Sequence, residues 1–235
     1  MTLTPPKFTS DLPVELIDAM GDEGSIVRAA RVSTLGSSAS AEESEGLLGY
    51  LYRSGHGSPF EHAVMTFRVE APIFVTREFL RHRISSFNEE SGRYRVLEGK
   101  FYVPDTTRAL VQIGKVGAYE FVAGTYEDFD DVSWAIRHIS TEAWESYQEL
   151  IDHGIAREVA RMVLPVNTYS TLYYTANLRS ILNFLSLRVD WGEEAVKRSK
   201  PQHEIEVLAR QVAAHVEERF PTVFASFREA GYVSV

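Results

Sequence analysis

The sequence predicts an α+β fold: a single domain over residues 1–235, in which helices flank a mainly antiparallel central sheet. A length of 235 residues fits one large domain and is enough to bury a core without disulfides or metals. Hydrophobic residues make up 44% of the chain and charged residues 24%, which is typical of a globular protein. Helical and β-type patterns alternate irregularly and show no internal repeat.

The first half of the chain divides at its glycines and prolines. The proline-rich first 20 residues predict an opening strand or loop. Helices are expected over 24–32 and 42–54, separated by a linker of small residues at 33–40. Glycine and proline set a turn at 55–59, and a strand is expected at 63–69. A further helix is predicted over 76–83 and a short strand over 101–103.

The second half is richer in helical patterns. An amphipathic helix is predicted over 132–153, closed by Gly154, and another over 155–164, ended by Pro165. A β-branched and aromatic strand is expected at 168–174, followed by helices at 178–189 and 204–219. Residues 107–131 resist assignment. Their acidic run, 127–131, is either a solvated face or the first turn of a helix.

The composition excludes several classes of function. The chain has no cysteine, which removes disulfides, thiolate metal sites and a cysteine nucleophile, and fits a reducing cytoplasm as the expected location. A formal net charge of −9 argues against a nucleic-acid partner. Residues 1–12 lack the apolar block of a signal peptide. The longest uncharged stretch, 162–178, carries proline, asparagine and hydroxyl groups, so we expect no membrane span.

Arginine is concentrated in one region of this acidic chain. Of the 24 basic residues 19 are arginine, and five of these fall within nineteen positions: Arg77, Arg81, Arg83, Arg93 and Arg95. A planar guanidinium suits two-point recognition of phosphate or carboxylate, so this island predicts an anion site. Arg77 and Arg81 are expected on one face of the predicted helix. The alternatives are a solvated helix end with surface ion pairs and a compositional bias without functional meaning.

The same region resembles a known family. The run from Arg81 to Tyr94 (RHRISSFNEESGRY) contains the pattern R-H-R-x-x-S-x-N-x-x-S-x-R, which is similar to the motif of the flavin-dependent thymidylate synthases. The run GHGSPFEH at 55–62 resembles the family's upstream flavin loop. The segments 157–165 and 177–188 resemble its later blocks. The likeness covers most of residues 50–190 and is weaker at either end.

The resemblance implies a complete reaction. It implies conversion of dUMP to dTMP, with methylenetetrahydrofolate as carbon donor and FAD, reduced by NADPH, as hydride donor. It also implies a homotetramer with sites between subunits. The unrelated thymidylate synthases attack uracil with a cysteine, and this chain has none, so the flavin carries the redox step.

Residue roles follow from the resemblance, position by position. Arg188 is the expected catalytic residue: it would face the uracil ring and favour ionisation of its imide. The residues expected to bind FAD are His56, Ser58, Arg81, His82, Arg83, Glu89, Asn177, Leu178, Arg179 and Asn183. Those expected to bind dUMP are Glu78, Phe79, Leu80, Arg81, Glu89, Glu90, Ser91, Gly92, Arg93, Arg161 and Arg188.

Simpler roles remain open for some of these residues. Ser91 can be read as a nucleophile, although no activating histidine–carboxylate pair is evident. Asn177 can be only a helix N-cap, and Arg161 can be part of a surface ion pair. His56, Glu61 and His62 do not have a zinc-site spacing, so no metal is expected.

Helical geometry raises a question of assembly. At ~100° per residue Arg179 and Asn183 share a face, whereas Arg188 points the opposite way if the helix is continuous. One helix would then serve two sites, or it breaks near Arg188. The chain departs from the family pattern at 190–200, and no role is assigned to His203.

Two other classes of function remain as rivals. A nucleotide phosphohydrolase would use the same arginines, but it needs an acidic metal cluster, for which residues 128–131 are the candidates. An RNA-binding module is disfavoured by the acidic charge balance.

Overall fold

The computed structural model describes residues 4–34, 41–115 and 118–235, which fall into two compact units. The first unit comprises Met1–Asp11, Ala71–Thr76 and Glu89–Ser170. The second comprises Leu12–Glu70, Arg77–Asn88 and Thr171–Val235. The α+β class is confirmed, and the expectation of a single domain stays a prediction.

The helices and strands have the following bounds. The strands are β1 Lys7–Thr9, β2 Val14–Met20, β3 Val64–Pro72, β4 Ser86–Glu89, β5 Lys100–Tyr102, β6 Val111–Lys115, β7 Ala118–Val122 and β8 Tyr169–Asn177. The α-helices are α1 Glu23–Arg31, α2 Ala41–Arg53, α3 Ile73–Phe79, α4 Tyr126–Asp152, α5 Arg157–Ala160, α6 Leu178–Arg188, α7 His203–Arg219 and α8 Pro221–Glu229. Turns of 3₁₀ helix occupy Val32–Thr34, Ser58–His62, Arg161–Val163 and Gly192–Glu194.

An antiparallel four-stranded sheet in the order β2-β3-β8-β4 lies mostly in the second unit. Strand β3 alternates between buried and half-buried positions, as a sheet with one covered face requires. Its Phe67 stacks near Tyr174 of β8, with ring centroids 6.1 Å apart. Phe184 of α6 stacks on Phe79 at 5.1 Å. These buried rings anchor α3 and α6; α6 carries Leu178, Arg179, Asn183 and Arg188, and the segment just after α3 carries Arg81, His82 and Arg83.

The first unit has a separate core around α4. Phe101, Trp144, Tyr147 and Ala160 are buried together. The Trp144 indole donates a 2.6 Å hydrogen bond to the Thr4 carbonyl, which ties the chain start to this helix. Strands β1 and β5 pair in parallel, and β6 and β7 form an antiparallel hairpin.

Most of the predicted helices and strands are present, and three predicted helices are wrong in extent, one of them α4, which begins at Tyr126 rather than at 132. Helix α3 ends at Phe79 rather than at 83, because the next amides form tight turn bonds, including His82 N–H to the Phe79 carbonyl at 2.9 Å. Arg81 therefore lies beyond the helix that was predicted to carry it beside Arg77. The predicted helix 155–164 divides into α5 and the 3₁₀ turn Arg161–Val163.

Four elements were not predicted: the strands β4, β6 and β7 and the helix α8. The unassigned stretch after residue 107 contains the hairpin β6–β7 and the first turns of α4. The acidic run 127–131 lies in these first turns, as one of its two readings proposed. Helix α8 begins at Pro221, which supplies the fixed backbone angle favoured at a first helical position. Residues 35–40 of the predicted linker lie outside the described residues.

Candidate active site

Four arginines line one cavity of about 720 Å³ in the second unit. Arg81 and Arg83 reach it from the segment after α3, and Arg179 and Arg188 from the two ends of α6. The other residues that line it are Glu61, His82, Ile84, Ser85, Asn177, Ser180, Asn183, Leu187, Ser234 and Val235. With four guanidinium groups and one carboxylate, the walls favour an anionic ligand.

Arg188 is held at two points. Its Nη1 lies 2.6 Å from Glu78 Oε2, and its Nε donates a 3.1 Å hydrogen bond to His82 Nε2. The Arg188 side chain is only 19% exposed. Two contacts on different nitrogens fix the plane of a guanidinium as well as its position. Arg188 is therefore oriented before any ligand arrives.

His82 is a neutral acceptor in this arrangement. Burial first, and the nearby Arg188 charge second, lower the pKa of His82 from 6.5 to about 4. Its ring meets the Phe184 ring edge-on, with centroids 4.9 Å apart. At neutral pH the imidazole is uncharged, so Nε2 accepts the Arg188 N–H and any ring proton sits on Nδ1.

Arg179 is held at the other end of the cavity. Its Nη1 lies 2.8 Å from Glu61 Oε1, and its Nε donates a 2.9 Å bond to the Val235 carbonyl. A Cβ on Gly57 would lie 2.6 Å from Arg179 Nε, so any larger residue at this position would displace the guanidinium from where it lies. The loop at residues 55–62 and the start of α6 are thus adjacent in space.

Asn177 and Asn183 differ in what they do locally. The Asn177 side chain accepts a 2.9 Å bond from Ser180 N–H, so it caps α6 and also lines the cavity. Asn183 is exposed on the next turn of the same helix and faces the same cavity.

The second group of motif residues lies in the first unit. The turn after β4 has Arg93 N–H donating to Ser91 Oγ at 3.3 Å. Thr76 Oγ1 donates to Glu89 Oε1 at 3.2 Å, and Glu90 lies 3.2 Å from Arg95 Nε. Glu89 and Glu90 are therefore held by neighbours in this unit, and the Ser91 hydroxyl has no histidine or carboxylate contact among the described residues.

Three arginines surround this turn. Arg93 Nε lies 3.3 Å from Glu158 Oε2, and Arg157 Nη1 donates a 2.8 Å bond to the Tyr94 carbonyl. Arg93 and Arg157 both line a cavity of about 430 Å³. A Cβ on Gly92 would come within 3.2 Å of Arg161 Cδ, which places Arg161 against the turn. In the described part of the chain Arg161 has no ion-pair partner.

Other predicted residues lie outside these cavities. His56 and Ser58 are exposed beside Gly57 and do not line the 720 Å³ cavity, and His56 packs edge-on against Tyr50 at 5.9 Å. Phe79 and Leu178 are fully buried, main chain included, and the Leu178 N–H donates to the Ala63 carbonyl at 2.8 Å, while Leu80 is 44% exposed. Arg77 and Arg95 line neither cavity, so the five-arginine island is not one site.

The expectation that Arg188 points away from Arg179 and Asn183 on a continuous helix is wrong. Helix α6 is continuous to Arg188, yet Arg179, Asn183 and Arg188 all line the same cavity. The long Arg188 side chain reaches round the helix end to His82, which the turn after α3 places there. Sequence reasoning also gave no binding role to Glu61. Its place in the GHGSPFEH run was visible, but its pairing with Arg179 depends on the fold.

Neither a third cavity nor a group of metal-ligating side chains adds a candidate site among the described residues. A cavity of about 490 Å³ in the first unit is lined by residues such as Trp144 and Tyr147, and none of the predicted site residues contributes to it. Within residues 4–34, 41–115 and 118–235, no three histidine or acidic side chains are grouped so as to hold a metal. No helix in those ranges is long and apolar enough to cross a membrane.

An α+β fold with four arginines around one cavity has the charge that suits a phosphorylated or otherwise anionic ligand. Residues 15–222 match the family described as thymidylate synthase complementing protein. A flavin-dependent thymidylate synthase of Tropheryma whipplei is 47% identical over 234 residues, covering 97% of both chains. One of Streptomyces coelicolor is also 47% identical, over 97% of this chain and 95% of that one. This chain belongs to the flavin-dependent thymidylate synthase family.

Solved structures agree with this assignment. The structure of PolB from Streptomyces cacaoi, a UMP/dUMP methylase bound with 5-Br UMP, has a TM-score of 0.91 and 48% identity. It covers 98% of this chain and 100% of its own. The same protein bound with 5-Br dUMP also gives a TM-score of 0.91, with 46% identity.

Proposed function

We propose that this chain converts dUMP to dTMP, with methylenetetrahydrofolate as carbon donor and FAD, reduced by NADPH, as hydride source. The observation that carries the proposal is the convergence of Arg81, Arg83, Arg179 and Arg188 on one cavity. These arginines come from two segments about a hundred residues apart in sequence, and both segments belong to the family motif.

The chemistry of the cavity fits FAD. Its arginines suit a diphosphate, and the missing Cβ of Gly57 lets backbone and guanidinium come close together at one end. Arg81, Arg83, Arg179 and Asn183 would hold the cofactor. When bound, the flavin supplies the hydride that reduces the transferred one-carbon unit to a methyl group.

The turn at Ser91–Arg93 supports a role in binding the nucleotide. It offers a hydroxyl, the backbone of Gly92 and the guanidinium groups of Arg93 and Arg161, which together suit a phosphate monoester. Arg161 is the strongest donor of the set because no carboxylate among the described residues competes for it. Glu89 and Glu90, held in place beside the turn, would accept hydrogen bonds from the nucleotide.

Arg188 is the proposed activating group. Without a cysteine nucleophile, the uracil ring has to become electron-rich in another way. A fixed guanidinium opposite the uracil imide favours loss of the imide proton and stabilises the negative charge that remains. Arg188 has the required fixed position, held by Glu78 and His82.

The proposed assembly is a homotetramer located in the cytoplasm. Large apolar side chains are exposed close together in one part of the first unit: Val159 (47%), Met162 (76%), Val163 (41%) and Val166 (50%). Such a patch next to Arg161 is unusual for a free surface and is typical of one that a subunit covers.

The test is dTMP formation by the purified protein with dUMP, methylenetetrahydrofolate, NADPH and FAD. Wild type is expected to form dTMP, and Arg188→Ala to lose about 100-fold or more in kcat while keeping its flavin spectrum. Unchanged turnover in Arg188→Ala would remove the role of that residue. A parallel assay with UMP decides the preferred sugar, because the similar PolB is described as a methylase of both nucleotides.

A further inference from the structure

The pairing of Arg188 with Glu78 and His82 is more specific than the proposed function requires. A guanidinium has five N–H donors; in Arg188 the Nε donor is hydrogen-bonded to His82, and Nη1 forms an ion pair with Glu78. Among the described residues no partner contacts Nη2. The two contacts thus leave one whole nitrogen of the fork, with both of its protons, available to a ligand.

His82 uses its Nε2 atom to hold Arg188. Its ring is buried against Phe184, with 9% of its surface exposed, and its Nε2 is occupied by the Arg188 N–H. Of the imidazole, only the side that carries Nδ1 is left to meet a ligand in the cavity. The lowered pKa of His82 keeps Nε2 free of a proton, which the hydrogen bond from Arg188 requires.

Glu78 completes the arrangement from the last turn of α3. Its carboxylate lies 2.6 Å from Arg188 Nη1, and its side chain is 31% exposed. A long, flexible arginine side chain loses rotamer freedom when it is fixed, so a catalytic arginine works best when neighbours fix it beforehand. Glu78 and His82 supply two such neighbours at different nitrogens.

We propose that His82 and Glu78 are positioning residues, which fix the Arg188 guanidinium so that Nη2 is presented to the uracil imide of the nucleotide. This inference rests on the proposed function, because it concerns the same arginine and the same substrate. It differs in assigning His82 and Glu78 an action through Arg188 rather than through their own ligand contacts.

The test uses 5-bromo-dUMP and measures the imide pKa of the bound nucleotide from its ultraviolet absorbance as a function of pH. Wild type is expected to bind the analogue and lower its imide pKa below that of the free nucleotide. His82→Leu is expected to raise the imide pKa of the bound nucleotide about one unit above its value in wild type, which is tenfold in the ionisation constant. His82→Gln, whose amide oxygen can still accept from Arg188 Nε, is expected to stay within about threefold of wild type.

Glu78 gives an independent arm of the same experiment. Glu78→Ala is expected to raise the imide pKa of the bound analogue and lower kcat about tenfold or more, with little change in the KM for dUMP. Glu78→Gln keeps an acceptor oxygen and is expected to lose less. A raised KM at unchanged kcat in Glu78→Ala would instead assign Glu78 a direct contact with the nucleotide and overturn its positioning role.

A double variant separates action through Arg188 from any other action. In an Arg188→Ala background, His82→Leu is expected to cause no further change in the imide pKa of the bound analogue. A further change, or equal defects in His82→Leu and His82→Gln, would overturn the inference. His138→Leu, which replaces a 47% exposed histidine on α4, is the matched control and is expected to behave as wild type.

The outcomes also separate this inference from the proposed function. If wild type binds no 5-bromo-dUMP, the proposed function fails and the inference falls with it. If wild type binds the analogue and forms dTMP but His82→Leu titrates like wild type, only the positioning role fails. The flavin spectrum and the unfolding midpoint of each variant show whether it has folded.

Discussion

Arg188 and Arg179 project from the same helix into one cavity, and partners distant in sequence hold each of them. Glu78 and His82 orient Arg188, while Glu61 and the Val235 carbonyl orient Arg179. The presence of both arginines was predicted from the motif. Their partners were not, because which groups meet α6 depends on where the turn after α3 and the chain end are packed.

The buried imidazole of His82 predicts a pH dependence of stability. The unfolded chain binds this proton near pH 6.5, whereas burial and Arg188 lower the pKa in the folded chain to about 4. The stabilisation that the neutral His82 side chain gives the folded protein is therefore complete above about pH 6.5. This stabilisation is lost as the pH falls towards 4. The loss reaches about 3 kcal/mol in the free energy of unfolding.

Urea unfolding of wild type and His82→Gln at pH values from 4 to 7.5 measures this contribution. The difference between the two free energies is expected to change by about 3 kcal/mol over that range, because glutamine does not titrate. A difference that stays constant with pH would show that His82 is not held neutral in the folded protein.

At the scale of single elements, the first turns of α4 show how a cap decides where a helix begins. The Thr125 hydroxyl accepts a 3.1 Å bond from Asp128 N–H, and Asp128 Oδ2 accepts a 2.7 Å bond from Thr125 N–H. The bond from the Thr125 N–H, followed by a 2.8 Å bond from the Thr125 hydroxyl to the same oxygen, lowers the pKa of the Asp128 carboxyl. The reciprocal pair begins α4 at Tyr126, six residues before the start predicted from apolar spacing.

Removing this cap is expected to weaken the helix. Thr125→Ala should lower the free energy of unfolding by about 1 kcal/mol, since the Asp128 N–H loses the hydroxyl that accepts its hydrogen bond. Thermal or urea unfolding measures the change, and Glu145→Ala, at an exposed position of the same helix, is the control with an expected change within about 0.5 kcal/mol. Equal effects of the two substitutions would show that the cap contributes nothing.

Strong periodicity was enough to predict some elements and not others. Helix α6 and strand β3 agree with the sequence pattern because their apolar spacing reflects burial of one face. The hairpin β6–β7 was missed because its side chains are largely exposed and carry no alternation. The helix expected at 155–164 was divided because a 3₁₀ turn begins at Arg161, which local pattern does not reveal.

At the scale of the whole molecule, the acidic net charge of −9 coexists with locally positive sites. Four arginines line the cavity of the second unit, and Arg93, Arg157 and Arg161 surround one turn of the first. The motif predicted which residues belong together functionally. It did not predict that they divide between two compact units, because sequence spacing carries no information on contacts.

The apolar patch around Met162 is consistent with burial between subunits, and the proposed homotetramer sets the mass to expect. Light scattering of the purified protein at micromolar concentration is expected to give four times the chain mass of 26.5 kDa. The physical reason is that a tetramer removes this patch from water. A mass of one chain under these conditions would contradict the proposed homotetramer.

The arginine-lined cavity of the second unit is the proposed flavin site. An FAD titration of the flavin-free protein measures this binding. Wild type is expected to form a yellow complex, and Arg179→Ala to raise the Kd about tenfold or more, since a charge-assisted contact to the diphosphate is lost. Arg53→Ala, at the exposed end of α2, should bind as wild type does. A protein that binds no FAD, or an Arg179→Ala variant with unchanged affinity for FAD, would show that this cavity is not the flavin site.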